Sequence, residues 1–335
     1  MNRVYIIAEA GVNHNGSLKR ARELVIAAAA AGADAVKFQT FRARNLVCGD
    51  AAKAAYQKRN TDCRESQFDM LRRLELDEDA HKELLSCCRR EKIHFLSAAF
   101  DFPSIDLLHR LGLETWKIPS GEITNLPYLR RVGSLARRVI LSSGMAHLHE
   151  IEEAIGVLTG SGTALEDIVV LHCNTQYPTP MQDVHLRAMA TIAKACGVQV
   201  GYSDHTLGIE VPVAAVALGA RVIEKHFTLT RDGEGPDHRA SLLPHELQAM
   251  VTAIRNVEQA LGSGEKRPSP SERENITVAR KSIVASRRIT AGEPFTKENL
   301  TVKRPGTGLS PMRWDELLDR VAHRDFLPDE QIVLP

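Results

Sequence analysis

No apolar stretch in this 335-residue chain approaches the roughly 18 residues a bilayer span requires, and no charged-then-apolar leader opens it. Neither a membrane span nor secretion by a signal peptide is expected, and a cytoplasmic location fits best. The alanine run at Ala27–Ala31 reads as a helix of small side chains. Cysteine is sparse and scattered: Cys48, Cys63, Cys87, Cys88, Cys173 and Cys196 contain no C-x-x-C pair, which excludes a disulfide framework and a structural zinc site. Excess charge is missing too. With 43 Lys and Arg against 42 Asp and Glu the formal net charge is +1, so no global pull toward nucleic acid or anionic membranes exists. A G-x-G-x-x-G fingerprint after the first apolar run is also lacking, which argues against a dinucleotide-binding sheet.

What is present is a series of eight short apolar runs in the first 262 residues: VYIIAEAG, DAVKFQT, IHFLSAAF, TWKIPSGE, RVILSSGM, DIVVLHCNTQYP, VQVGYSDH and ARVIEKHFT. Each is apolar on nearly every position, as a strand covered on both faces must be, whereas a half-exposed strand would alternate. Helical patterns follow most of them. Ser17 is placed to cap one that carries Leu18, Ala21, Leu24 and Val25, and the last runs from about Pro244 to Leu261. Eight parallel strands with right-handed crossovers predict a (β/α)8 TIM barrel; an open doubly wound sheet is the alternative. A longer excursion from Phe41 to about Leu76, loop-like and then helical through Phe68, Leu71 and Leu74, reads as a substrate wall or lid. The predicted organisation is a barrel over 1–262, a Gly/Ser/Pro-rich linker over 263–276 and a small β-rich domain over 277–335, with a short helix near Trp314–Leu318.

Polar residues collect at the C-terminal ends of the runs, the end at which barrel sites are built. His205 and His226 close two successive strands, near enough for both imidazoles to reach one ion. Two His with oxygen ligands suit a six-coordinate divalent ion such as Mn²⁺ better than tetrahedral Zn²⁺ with thiolates, and Glu9 and Asp237 are candidate oxygen partners. Lys37 and Lys117, with Ser120, Ser142 and Ser203, offer the charge and the many donors a phosphate dianion needs. Glu122 is positioned to act as a base or to orient a water. His14 either touches substrate or fixes its own NHNG turn. Cys173 is expected to be structural, because no neighbouring base marks it as a nucleophile.

From Val4 to the C-terminal segment, the motifs IIAEAGVNHNGS, ADAVKFQTF, WKIPSGEITNLPYL, ILSSGMA, LHCNTQYPTP, GYSDHTLGIEVPVAAVALGA, IEKHFTL, GPDH and VKRPGTGLSP resemble, in order, those of the sialic acid synthase family. Its members condense phosphoenolpyruvate with an N-acetylated mannose-type sugar. The resemblance implies a TIM barrel followed by a small antifreeze-like (SAF) domain. It implies that His205 and His226 bind a divalent metal, Mn²⁺ ahead of Mg²⁺ or Co²⁺, and that Lys37, Lys117, Ser120, Ser142 and Ser203 bind phosphoenolpyruvate. By the same resemblance Glu9, Glu122, Tyr177 and Asp237 hold the sugar or the attacking water. Arg304 in KRPGTG matches an arginine that reaches the partner's site, which implies a domain-swapped homodimer.

Two departures stand out. Ala98 replaces a threonine usual after the third strand, removing one hydrogen bond worth about 1 kcal/mol near the phosphate. Thr175 stands where enzymes that use N-acetylmannosamine tend to carry Asn. The segments NTDCRESQFDMLRRLEL, IPSGEITNLPYL and LHCNTQYPTPM look closest to the branch making N,N'-diacetyllegionaminate from 2,4-diacetamido-2,4,6-trideoxymannose. That substrate lacks a 6-hydroxyl, so one end of its pocket is expected to be less polar. N-acetylneuraminate synthesis is the runner-up, ahead of pseudaminate synthesis. A metal-dependent keto-sugar-acid aldolase and a non-enzymatic carbohydrate-binding protein are more remote.

Overall fold

Alternate residues of each apolar run face opposite ways, and this parity organises the first part of the molecule. The structure is a computed structural model that describes residues 3–49, 51–61 and 64–335, with only the backbone of Ala55, Tyr56 and Arg59. Eight parallel strands close a barrel: β1 (Tyr5–Gly11), β2 (Ala35–Thr40), β3 (His94–Ala99), β4 (Thr115–Ile118), β5 (Arg138–Ser142), β6 (Ile168–Cys173), β7 (Gln199–Asp204) and β8 (Val222–His226). Ile7, Ala35, Leu96, Ile140, Val169, Leu171 and Val222 pack together as one cluster. Their immediate neighbours Ile6, Ala8, Val36, Phe95, Val139, Val170 and Ile223 belong to the larger cluster shared with the helices. The first set fills the barrel and the second joins strand to helix. Each run reads as continuously apolar because both sides are buried.

The helices follow the sequence closely. The barrel helices are α1 (Leu18–Ala30), α5 (Glu78–Glu91), α6 (Phe102–Arg110), α7 (Leu126–Gly133), α8 (Leu148–Gly160), α9 (Ala188–Cys196), α10 (Glu210–Ala217) and α11 (Pro244–Leu261). Ser17, Asp77, Asp101 and Asn125 cap α1, α5, α6 and α7 through side-chain acceptors, satisfying first-turn N–H groups. The excursion after β2 is more ordered than its composition implied. It carries α2 (Ala43–Leu46) and α3 (Ala55–Asn60) before the expected helix α4 (Gln67–Arg73).

The chain divides into two units, Met1–Gly262 and Ser263–Pro335. In the second unit β9 (Ser282–Ala285) pairs antiparallel with β10 (Leu300–Lys303), and Ile283, Ile289, Phe295, Leu317, Phe326 and Ile332 form its core. The short helix at the tryptophan is α13 (Trp314–Leu317). Part of the expected linker is helical instead: α12 spans Arg273–Ala279, preceded by a capping box between Ser269 and Glu272. Cys63 lies outside the described residues, and the other five cysteines are free thiols. Among the described residues no helix is long and apolar enough to cross a membrane.

Candidate active site

The inward parity that is apolar low in the barrel turns polar at its C-terminal end. Ile7 is followed two residues on by Glu9, Ala35 by Lys37 and then Gln39, and Ile140 by Ser142. Likewise Leu171 is followed by Cys173, and Val222 by Glu224 and then His226. Register then sets the neighbours. Glu9 lies opposite Lys37 on β2 and opposite His226 on β8, while Ser203 lies opposite Glu224. A cavity of about 340 Å³ opens on this layer. It is lined by Glu9, Lys37, Lys117, Ser120, Ser142, Tyr177, Ser203, His205, Glu224 and His226, among others.

Two ammonium groups and two carboxylates occupy its floor. Lys37 Nζ lies 2.8 Å from Glu9 Oε2 and 3.6 Å from Glu224 Oε2, and Lys117 Nζ lies 3.5 Å from Glu224 Oε1. Lys117 also donates to Ser142 Oγ at 2.8 Å, and Ser203 donates to Glu224 Oε1 at 2.9 Å. All four charged groups are buried, and their environments separate them. Burial acts to raise Glu224, but the charges of Lys117 and Lys37 and the Ser203 hydroxyl outweigh it and hold the carboxyl far below its usual range. Burial raises Glu9, and Lys37 only partly opposes that. For Lys117 burial prevails and lowers the ammonium; for Lys37 the two carboxylates override burial and raise it.

Ser120 is held where the β5 loop passes closest. Gly144 N–H donates to Ser120 Oγ at 2.9 Å, and Ser120 Oγ lies 3.3 Å from Cys173 Sγ. A Cβ on Gly144 would sit 2.6 Å from the Thr175 methyl and 2.9 Å from Ser120 Oγ, so any side chain there must displace one of them. Burial pushes the Cys173 thiol up, away from the thiolate a nucleophile requires. His14 Nδ1 accepts the Gly16 N–H at 3.0 Å and does not line the cavity, so of its two readings the turn-fixing one holds.

His205 and His226 face each other with ring centroids 5.4 Å apart, and Tyr177 packs on both, 4.1 Å from the first ring and 5.6 Å from the second. His205 Nδ1 meets the Asn174 carbonyl at 2.5 Å, and a carbonyl only accepts, so Nδ1 carries the proton and Nε2 keeps its lone pair. Burial lowers His205 to about 4 and holds His226 well below its ordinary value, leaving both rings neutral at pH 7. His226 Nδ1 is buried without a hydrogen-bond partner, 4.0 Å from Asp237 Oδ2. Burial raises that aspartate to about 6. No cluster of three or more His, Cys, Asp or Glu gathered for a metal occurs among the described residues. Two neutral imidazoles, one with an orphaned nitrogen, nevertheless fit the nitrogen half of a divalent-ion site whose other ligands are oxygens from substrate and water.

Besides His14, three sequence-predicted residues fall outside the lining. Glu122 sits half-buried in the turn after Ser120, its Oε2 accepting from Asn125 Nδ2 at 2.6 Å. Asp237 stands behind His226. Arg304 belongs to the second unit, where its Nε donates to the Ala279 carbonyl at 3.1 Å. Glu224 and Gln39 are the residues that sequence reasoning missed. Both lie inside apolar runs, and the available signal was parity: each is two residues from a residue already singled out.

The NeuB family model matches residues 24–266 and the SAF domain model matches residues 280–335. The chain belongs to the NeuB family. NeuB-family relatives include the N,N'-diacetyllegionaminic acid synthase of Campylobacter jejuni, 52% identical over 99% of both chains. The N,N'-diacetyllegionaminic acid synthase of Legionella pneumophila is 50% identical over 92% of this chain and 87% of that protein. The crystal structure of an N-acetylneuraminic acid (sialic acid) synthetase from Leptospira borgpetersenii, in complex with citrate, matches with a TM-score of 0.71 at 34% identity, covering 82% of this chain and 90% of that one.

Proposed function

We propose that this NeuB-family enzyme is an N,N'-diacetyllegionaminic acid synthase. It condenses phosphoenolpyruvate, 2,4-diacetamido-2,4,6-trideoxymannose and water to a nine-carbon 2-keto acid and phosphate. The observation that carries the reading is identity of about half, over nearly the whole chain, to two synthases of that name, against 34% to the sialic acid synthetase. The cavity supports it. Leu46, Val47, Leu71 and Phe100 add apolar lining away from the lysines' strands, which suits a sugar that ends in a methyl group.

Lys37 and Lys117, with Ser120, Ser142 and Ser203, hold phosphoenolpyruvate and orient its alkene carbon toward the sugar aldehyde. His205 and His226 would hold a divalent ion, Mn²⁺ ahead of Mg²⁺ or Co²⁺, which when bound would supply Lewis acidity toward that aldehyde. Carbon–carbon bond formation leaves positive charge on the enol carbon, where water oriented by Glu122 adds. The lysines stabilise the phosphate as its C–O bond breaks. Glu9, Tyr177 and Asp237 hold the sugar, and Arg304 completes the site of a partner copy in a domain-swapped homodimer. The setting is cytoplasmic.

Phosphate release from phosphoenolpyruvate and Mn²⁺, with the diacetamido sugar or N-acetylmannosamine in parallel, tests the reading. Faster release with N-acetylmannosamine overturns the substrate assignment. In ¹⁸O water, label belongs in the sugar acid; label in the phosphate rules out this bond cleavage. Mixing inactive Arg304→Ala and His205→Ala chains should restore turnover if the arginine acts in trans, and should not if it acts in its own subunit.

A further inference from the structure

Regular pairing of β7 with β8 ends at Asp204 opposite Lys225, one residue short of both histidines. Beyond that point the backbone of His226 turns to other partners. Its carbonyl accepts from Leu242 N, and the next N–H, of Phe227, donates to the Glu9 carbonyl. The β7–β8 ladder therefore reaches the two histidines only at its last rung. Side chains on the outer face of the barrel add to that rung. Ser203, His205, Glu224 and His226 point inward, so Asp204 and Lys225 point outward by parity, and both are wholly buried. Lys225 Nζ donates to Asp204 Oδ2 at 2.5 Å and to the Thr206 carbonyl at 2.5 Å. The Asp204 carboxylate in turn accepts the Thr206 N–H at 3.1 Å and the Thr206 hydroxyl at 3.0 Å. The residues on both sides of His205 are thus tied to the residue beside His226.

We infer that Asp204, Lys225 and Thr206 are positioning residues that set the separation of the two imidazoles and hence the affinity of the metal site. A buried ion pair is a poor source of stability, because an apolar pair of similar volume usually serves as well. What an apolar pair lacks is direction: it has no hydrogen bond with which to fix the backbone on either side of His205. The inference rests on the reading of His205 and His226 as metal ligands.

The test uses metal-free full-length protein titrated with Mn²⁺ alone, followed by calorimetry and by the loss of free-Mn²⁺ electron paramagnetic resonance. Asp204→Leu/Lys225→Met replaces the ion pair by an apolar pair, and Thr206→Val removes a single hydroxyl. The expected result is affinity about 10- to 100-fold weaker in the double variant, the range typical of groups that orient ligands, and several-fold weaker in Thr206→Val. Melting of the metal-free protein should stay unchanged. Wild-type affinity in either variant overturns the inference, and Thr206→Val decides it if the double variant does not fold. His205→Ala separates the two levels. If that substitution leaves Mn²⁺ binding intact, the ligand assignment fails, and the clamp fails with it for a different reason.

Discussion

Ala98 lines the cavity opposite Lys117 in the β3–β4 pairing, beside the proposed donor pocket. A hydroxyl there would add one donor beside an ammonium group. Ala98→Thr is expected to lower the KM for phosphoenolpyruvate about fivefold, the equivalent of about 1 kcal/mol, with kcat unchanged. Steady-state rates at saturating sugar measure this, and an unchanged KM would show that water already fills the role. His14 makes a prediction about stability. Burial lowers its imidazole from 6.5 to about 4, so between these values the unfolded chain binds a proton that the folded chain refuses. Its contribution is complete above pH 6.5 and is lost as pH falls toward 4, on the order of 3 kcal/mol in all. Urea midpoints of His14→Gln should therefore fall less steeply than wild type between pH 7 and 4.5. Equal slopes would mean that other groups carry the acid sensitivity.

At the scale of elements, the loop after β5 bears on the chemistry through one glycine. Gly144→Ala puts a methyl into contact with the Thr175 side chain and Ser120 Oγ and displaces the N–H that holds Ser120. Turnover at limiting phosphoenolpyruvate should drop at least tenfold, while strand content by circular dichroism stays constant. A fully active variant would remove Ser120 from the donor site. The same scale shows what could be read in advance. The eight strands were legible because burial on both faces leaves a run that is neither amphipathic nor helix-length. His205, Lys37 and Ser142 were legible because they interrupt such runs at their ends. Glu224 was not, since it is enclosed by Ile223 and Lys225 in what reads as strand interior, and its counter-charges come from β2 and β4. The helices α2 and α3 were hidden as well, being too short for an apolar period to repeat. The helix α12 was missed although Ser269 and Glu272 spell a capping box on the turn that leads into it, because Pro and Gly around them dominate the local composition.

For the whole molecule, the proposed metal site would link ion binding to stability. An ion that binds only where His205 and His226 converge favours the folded chain, by about 2.7 kcal/mol at a concentration one hundred times its dissociation constant. Adding Mn²⁺ to chelator-stripped protein should raise the melting temperature by a few degrees and restore turnover, and His226→Ala should abolish both effects. A chelator-treated enzyme at full activity would eliminate the cofactor assignment. The layering of the barrel carries a further consequence. On the proposed assignment, the last inward positions of most strands serve the enolpyruvyl donor or the aldehyde end of the acceptor, which leaves the strands few positions with which to discriminate the far end of a sugar. Divergence among relatives that use different sugars is thereby steered into the segments that join strand to helix, above all the one carrying Leu46, Val47 and Leu71. Exchanging that segment between two such enzymes should carry sugar preference with it while the reaction itself stays the same.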